Sequence, residues 1–556
     1  MANHLPFEVL TIIGKHLYIK ELSACMQVCH AWRKAFVPIL YHDVEIRSGI
    51  QFDHFVETLE STKHDKLPLG HHVRILNLWF EAYGNDIKDL PPLCPFVVEI
   101  GVWDTQFQYI ACEMHQWKHL ATVPELILDQ SPKFSFEFFK NIITDLVLDT
   151  LAEWYDEWMT IITRLPGVER LVIKGDYDRD QHFPKLSVSE METIFESLPR
   201  LSHLELSYFY LYGDVPVHTS PCETLDILSL SPMDNHMWGR YFSKKCTKVG
   251  RLIVYGYSND AAGMFAESKT LLRSCRCLKE LEAGLATDEI RQCLAILAEI
   301  GAPMRSLDLY ADWDLDSMSH VVHGFQRTVS KITLKIADGT MLQTRMMPLR
   351  RCASLTILTV DAMFQDIQLD AIMEACVHLK ILKIVSKLLY LGSMPAATQL
   401  HSLERLTMKG IMGSEVFSYL SDAAPNITEL VCSITLEGQS LSMDFPFMRL
   451  RRLYLRCSGQ PLYRLILLDK ILNGTKDTND ESNEWYRCYR GCPDDRYTLH
   501  TVSYGEKLGG CTCGFDSIVY PGESDRSSQE VALVSLRCRS IQDISIRPST
   551  GSRYDF

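Results

Sequence analysis

This 556-residue chain has no excess of positive charge: 70 Asp and Glu face 56 Lys and Arg, for a formal net charge of −14. Nucleic-acid binding needs a basic surface that releases counterions, so the balance argues against nucleic acid as the main partner. No run approaches the roughly 18 consecutive apolar residues of a membrane span, so no membrane is expected. The opening Met1-Ala-Asn-His-Leu-Pro has neither a cationic stretch nor an apolar core. No secretory leader is therefore expected, and the expected compartment is cytoplasmic and/or nuclear. Phosphate-binding glycine loops, nucleophile elbows, zinc-protease histidine pairs and dinucleotide fingerprints are all missing. No catalytic residue and no cofactor is assigned.

What the chain does have is repetition. An apolar residue, two variable residues, a second apolar residue, one variable and a third apolar recur along it. Examples are Val73-Leu76-Leu78, Val168-Leu171-Ile173, Leu201-Leu204-Leu206, Leu225-Leu228-Leu230, Leu355-Leu358-Val360 and Leu403-Leu406-Met408. First positions at 201, 225 and 249, and again at 355, 379, 403 and 427, step by 24. The last two apolar residues lie two apart, so they share one side of a short strand. Segments 261–275 and 288–300 between triplets are compatible with helices. A strand plus a return helix this short cannot bury its apolar side alone, so neighbours must stack. Cys94, Cys222, Cys246, Cys275, Cys352, Cys376 and Cys538 each stand three residues before a first position. A small apolar thiol suits the tight junction of helix and strand, and in a reducing compartment it stays free. The pattern resembles the cysteine-containing branch of the leucine-rich-repeat family. That resemblance implies a solenoid of short parallel strands on a concave face and helices on a convex face.

Residues 4–46 break the repeat. Pro6 suits the first turn of a helix and Glu8 its positive end, with Val9, Leu10, Ile13 and Leu17 at helical spacing. Leu22, Cys25, Val28, Cys29 and Trp32 read as a second helical stripe, and Pro38 as its interruption. Three short helices make a poor independent core and leave apolar surface for a partner. Leu5-Pro6, Glu8-Val9-Leu10, Ile13, Leu17, Leu22, Cys25, Val28-Cys29 and Trp32-Arg33 resemble the F-box motif position by position. The resemblance implies docking onto a Skp-type adaptor that links to a cullin–RING ligase, with Leu5, Pro6, Leu10, Ile13, Leu17 and Trp32 making or supporting the contact. It also implies that catalysis belongs to partners; an array of eight RING-type ligands is absent.

A protein substrate would meet the strand positions that point away from the core. In the middle these are acidic and aromatic: Glu280, Glu282, Asp308 and Tyr310, with Asp312, Trp313 and Asp314 nearby. Towards the carboxyl end they turn basic: Lys331, Lys335, Lys383, Arg405, Lys409, Arg452 and Arg456. This lane, with Tyr310, is the candidate substrate surface, and its forks suit carboxylate or phosphate.

Residues 474–530 interrupt the array with a polar stretch and then Cys488, Cys492, His500, Cys511 and Cys513. The C-x3-C and C-x-C spacings are not the paired C-x2-C of a zinc site, so a hairpin insertion is expected and no metal is assigned, with zinc left open. Cys112, His115 and His119 belong with Trp117 and Leu120 to an amphipathic repeat segment. The expected organisation is α/β: a three-helix F-box over 1–46, a solenoid over 47–472, the insertion over 473–530, and a final repeat with the tail over 531–556. The leading function is a substrate-recognition adaptor of an SCF-type ubiquitin ligase; the alternative is a leucine-rich-repeat scaffold acting outside ubiquitin transfer.

Overall fold

The computed structural model describes residues 5–17, 19–80, 87–102, 111, 114–123, 126–128, 137–149, 155–175, 185–233, 238–255, 261–284, 287–310, 315–336, 346–392, 401–435, 441–457, 462–467, 484–488, 499–501 and 533–548. The chain divides into two compact units, Met1–Leu285 and Ala286–Phe556.

The first unit opens with three helices, Phe7–Gly14 (α1), Ile19–Cys25 (α2) and His30–Leu40 (α3). Asp43–Ile46 (β1), Ile75–Leu78 (β2) and Glu99–Val102 (β3) follow as a three-stranded parallel sheet, with helix Gly49–Ser61 (α4) between β1 and β2. The Ser48 side chain caps α4 by accepting from the Gln51 amide. A second parallel sheet runs through Leu126–Leu128 (β4), Asp145–Asp149 (β5) and Arg170–Lys174 (β6). It continues through His203–Tyr212 (β8), Ile227–Met233 (β9), Arg251–Tyr255 (β10) and Glu280–Gly284 (β11), while Lys185–Ser187 (β7) pairs the far end of β8. The register carries the repeat across the sheet: Leu171, Leu204, Leu228, Leu252 and Leu281 are lateral neighbours. Ile173, Leu206, Leu230 and Val254 form the next buried row. Helix Val188–Ser197 starts on a capping box in which Ser187 accepts from the Glu190 amide and Glu190 accepts from the Ser187 amide.

The second unit repeats the plan. Ser306–Tyr310 (β12), Lys331–Lys335 (β13), Ile357–Gln368 (β14), Ile381–Tyr390 (β15), Arg405–Met412 (β16), Glu429–Ile434 (β17) and Leu441–Cys457 (β18) pair in sequence order, all parallel. Leu307, Ile332, Leu358, Leu382, Leu406, Leu430 and Leu453 make one continuous buried row. Leu462–Leu467 (β19), Glu484–Cys488 (β20) and Leu499–Thr501 (β21) extend the sheet, with β20 antiparallel to both its neighbours. The last strand, Leu533–Pro548 (β22), is inserted between β18 and β19 and sets Ile541, Ile544 and Ile546 beside Leu450, Leu453 and Leu455. Both units are thus leucine-rich-repeat-like stacks. Replacing one buried Leu of a row by Ala removes its transfer energy and leaves a cavity, a cost of about 2–5 kcal/mol.

Within each unit, a second ladder links consecutive modules. A hydroxyl just before a strand bonds a carbonyl of the preceding module: Ser202 to Glu169 at 3.1 Å, Thr356 to Ser330 at 3.2 Å, Ser402 to Leu379 at 3.1 Å and Thr428 to Glu404 at 3.2 Å. The Glu169, Ser330 and Glu404 carbonyls also accept backbone amides of the following module, so these hydroxyls reinforce junctions that the backbone already pairs, while Ser402 adds a bond at Leu379.

The junction cysteines behave as a packing device, with one exception. Cys94, Cys246, Cys275, Cys352 and Cys376 are buried where a helix or turn meets the following strand, and Cys222 is half-buried. Cys538 instead lies inside β22, opposite Phe445. The triplet it precedes is part of one long strand rather than a fresh module. Burial pushes the Cys94, Cys275 and Cys376 thiols up to about 12, Cys352 up to about 11, and Cys246 well above its ordinary 9.0. A raised folded-state value adds stability that is complete below 9.0 and is lost as the pH climbs towards 12. Native alkylation near pH 8 should accordingly modify the exposed Cys277 and spare these five, with all of them reacting once the chain is unfolded. Peptide mass spectrometry reads this directly, and rapid native labelling of Cys246 or Cys275 would contradict it.

Three local differences from the sequence expectation have simple causes. The stripe from Leu22 to Trp32 is split, because α2 ends at Cys25 and α3 begins at His30 with the extended Cys29 before it. Pro38 lies within α3, which runs on to Leu40. Its missing N–H forfeits one bond near the helix end, to the carbonyl of Lys34, an exposed residue. The aromatic-rich segment around Phe134–Trp158 hides a repeat, Ile143-Leu146-Leu148, whose strand is β5 and whose three side chains are fully buried. Among the described residues, no helix is long and apolar enough to cross a membrane.

Candidate functional site

The helical segment has a very small interior. Leu10 of α1, Leu22 of α2, and Ala35 and Phe36 of α3 are its buried side chains, with Leu17, Cys25, Met26, Trp32, Ile39 and Leu40 packed around them. Trp32 meets Phe36 edge-on at 5.5 Å between ring centroids. Gly14 makes the close approach of α1 to α3 workable, since a Cβ there would stand 2.5 Å from Ile39 Cδ1 and 2.9 Å from Phe36 Cδ1. The Pro6 carbonyl accepts from the Val9 and Leu10 amides at 3.1 Å and so starts the helix.

Once Leu10, Gly14 and Leu17 face inward, helical geometry turns Val9, Ile12 and Ile13 outward together at i, i+3 and i+4. The solvent meets them: Ile12 is 61% exposed, and Val9 and Ile13 are exposed as well. Leu5 and Phe7 before them, Ile19 of α2 (72% exposed) and Val28 beyond it add further bare apolar surface. Exposed apolar clusters of this kind commonly mark a site of contact with another protein.

Of the six residues expected to make or support an adaptor contact, Leu5, Pro6 and Ile13 are exposed. Leu17 and Trp32 are half-buried against the interior, and Leu10, at 2% exposure, is inside it. Leu10 can therefore only support a contact. Phe7, Val9, Ile12, Ile19 and Val28 were not singled out as contact residues, although the wheel of α1 already separates Val9 and Ile12 from Leu10.

The expected basic lane lies on the outer rows of the second unit. Ser306, Lys331, Ile357, Ile381, Arg405, Glu429 and Arg452 form one row, and Asp308, Thr333, Thr359, Lys383, Thr407, Val431 and Tyr454 the next. Tyr310, Lys335, Asp361, Val385, Lys409, Ser433 and Arg456 form the third. The register therefore aligns the lane but threads carboxylates into it. Lys335 pairs with Asp308 at 3.5 Å and Arg405 with Glu429 at 3.2 Å, while Asp361 stands beside Lys335 in register. Asp361 and Glu429 are contributed by the modules of β14 and β17. Exposed pairs of this kind stabilise by no more than about 1 kcal/mol and leave the cations open to exchange partners.

The acidic positions of the first unit are also compensated. Arg251 lies 3.6 Å from Glu280 and 3.3 Å from Glu282, and Tyr255 donates to Glu282. That hydroxyl and Arg251 hold the Glu282 carboxyl below its ordinary range, while Tyr255 is pushed up to about 12. Asp312, Trp313, Asp314, Cys112, Cys492, Cys511 and Cys513 fall outside the described residues, as does the Tyr310 side chain. His115 and His119 are exposed. Among the described residues, no cluster of three or more His, Cys, Asp or Glu could hold a metal ion.

Residues 2–47 match the F-box-like family model. They are an F-box-like domain. Such a domain implies binding to a Skp-type adaptor and, with it, a substrate-adaptor role in an SCF-type complex, and F-box proteins with leucine-rich repeats are generally non-catalytic. Two solved structures similar to the chain are the yeast Rad7–Elc1 complex and the Arabidopsis receptor kinase HAESA with the peptide hormone IDA and the co-receptor SERK1. The first shares 14% identity over 72% of this chain and 89% of that one, with a TM-score of 0.30. The second shares 13% identity over 70% of this chain and 72% of that one, with a TM-score of 0.26. A comparison with curated proteins finds no match.

Proposed function

We propose that this chain is the substrate-recognition adaptor of an SCF-type cullin–RING ubiquitin ligase. The F-box-like domain docks a Skp-type adaptor through the face made by Leu5, Phe7, Val9, Ile12 and Ile13, and the leucine-rich-repeat-like stack holds a protein substrate for ubiquitination by the partners. The observation that carries this reading is the bare apolar face on a domain whose own interior is already closed by Leu10, Leu22 and Phe36. A capping segment that only sealed the first strand would turn such residues towards the repeats. The substrate surface is assigned to the outer rows around Tyr310, Lys331, Lys335, Lys383, Arg405, Lys409, Arg452 and Arg456.

Affinity capture of the full chain from cell extract tests the proposal. A Skp-type adaptor and a cullin should both be recovered, and both should be lost with Val9→Glu/Ile12→Glu. Recovery of the adaptor without any cullin would overturn the ligase assignment and favour a scaffold.

A further inference from the structure

The charges of the second unit are not evenly spread. On strands β15 to β18, the outward positions carry Lys383, Arg405, Lys409, Arg452 and Arg456, against Glu429 and Asp444 among the described residues, with Asp543 of β22 in register with Arg452. Lys387, exposed, follows on β15 where the pairing with β16 shifts register between Val385 and Leu388. This cationic surface belongs to a chain whose net charge is −14. Its concentration on four adjacent strands is therefore a local feature and not a reflection of composition.

An apolar feature adjoins it. The pairing of β14 with β15 also shifts register, between Ala362 and Asp366, and the residues released there include Met363 and Phe364. Met363 is 45% and Phe364 71% exposed. In an ordinary strand position Phe364 would alternate into the buried row; the bulge instead turns it to solvent. Lys387 occupies the corresponding bulge on the neighbouring strand, so the apolar pair borders the cationic surface.

Spacing decides what such a surface takes. Four strands about 4.8 Å apart spread the cations over roughly 15 Å, the reach of about five residues of extended chain. A single phosphate cannot span that distance. We infer that strands β15 to β18 bind an extended acidic segment of a partner protein, rich in Asp and Glu, whose neighbouring bulky apolar residue rests on Met363 and Phe364. The inference rests on the substrate-adaptor reading for the identity of that partner as the substrate. The binding itself is separate from the F-box-like domain.

The test uses the full chain and fluorescein-labelled synthetic peptides of about ten residues, a length that covers the surface with margin. One alternates Glu and Ser and ends in Leu-Phe; a second has Lys for Glu; a third ends in Ala-Ala; a fourth carries one phosphoserine in place of all its Glu. Fluorescence anisotropy should show the Glu peptide binding, with affinity falling as salt is raised. Lys383→Glu/Lys409→Glu should weaken it by roughly tenfold or more, as like charges replace opposite ones. Phe364→Ser should weaken the Leu-Phe peptide and leave the Ala-Ala peptide unchanged. All three are surface changes, and an unchanged melting curve checks that each variant is folded. Equal binding of the Glu and Lys peptides, indifference to the charge reversals, or tighter binding of the single-phosphate peptide would each overturn the inference. Because no adaptor or cullin is in the assay, its failure is distinct from failure of the ligase assignment, which the extract capture reads.

Discussion

The double substitution Val9→Glu/Ile12→Glu should abolish capture of a Skp-type adaptor while leaving the chain folded. Both side chains point away from Leu10, and both already stand in water, so a carboxylate at either position costs the isolated domain little. In a complex the same positions would be covered. Burying a Val or Ile side chain contributes about 1.5–3 kcal/mol, so losing two amounts to at least a hundredfold in affinity at about 1.4 kcal/mol per decade. Two unpaired carboxylates forced into an apolar interface would add to the loss. Titration calorimetry with a purified Skp-type adaptor measures this. The inward control is Leu10→Asp. It places a charge inside an interior of four buried side chains, and should unfold the helical segment, read as loss of protection of the α1 and α3 amides from hydrogen exchange. If the outward pair behaved like the inward control, the face would be structural and the adaptor assignment would lose its support.

A second large effect is expected far from that surface. Glu192 on helix Val188–Ser197 accepts from the Tyr241 hydroxyl at 2.7 Å and from Lys245 Nζ at 2.7 Å, both on helix Trp238–Lys245. The Lys245 side chain is 5% exposed, and its ammonium also stands 4.9 Å from the Phe195 ring centroid. Burial, reinforced by the Glu192 carboxylate, drives the Tyr241 hydroxyl far above its ordinary value, so it remains a donor at any working pH. Glu192→Leu strands a buried ammonium and a buried phenol together. Breaking a buried pair from one side costs about 3–5 kcal/mol, whereas replacing the whole group by apolar residues of similar volume is close to neutral. The triple variant Glu192→Leu/Tyr241→Phe/Lys245→Met should therefore regain most of what Glu192→Leu loses. Urea unfolding of the three proteins measures the difference. A loss below about 0.5 kcal/mol for Glu192→Leu would mean that the pair is solvated and contributes nothing special.

Much of this architecture was legible because two periodicities have different lengths. Pairs of apolar residues two apart fix which face of a strand is buried, and a 24-residue recurrence fixes how strands stack. The same two periodicities set Leu204, Leu228 and Leu252 side by side. The repeat at Ile143-Leu146-Leu148 is hidden because its first position falls only 20 residues after Val123, short of the dominant step of 24. The final triplet was legible, but its place was not. Nothing local in Ile541-Ile544-Ile546 says that β22 enters between β18 and β19, which is a long-range choice of partner. Within the F-box-like domain the motif identified the residues but mixed two roles. A motif Leu such as Leu10 can be an interior residue, and the motif alone does not separate it from Ile12, although the helical wheel does. In the second unit, period-two alternation places Lys331, Lys383 and Arg405 on outer rows, but it does not show which charges lie beside them. Asp361 and Glu429 sit in modules whose other outer residues are unremarkable, and only the register brings them beside Lys335 and Arg405.

The most direct measurement is reconstitution from purified components. The full chain, a Skp-type adaptor and a cullin are mixed and resolved by size-exclusion chromatography with light scattering. The account predicts one ternary peak that requires the adaptor and disappears with Val9→Glu/Ile12→Glu. A chain that elutes alone, or one that joins the cullin as well without the adaptor as with it, would contradict it.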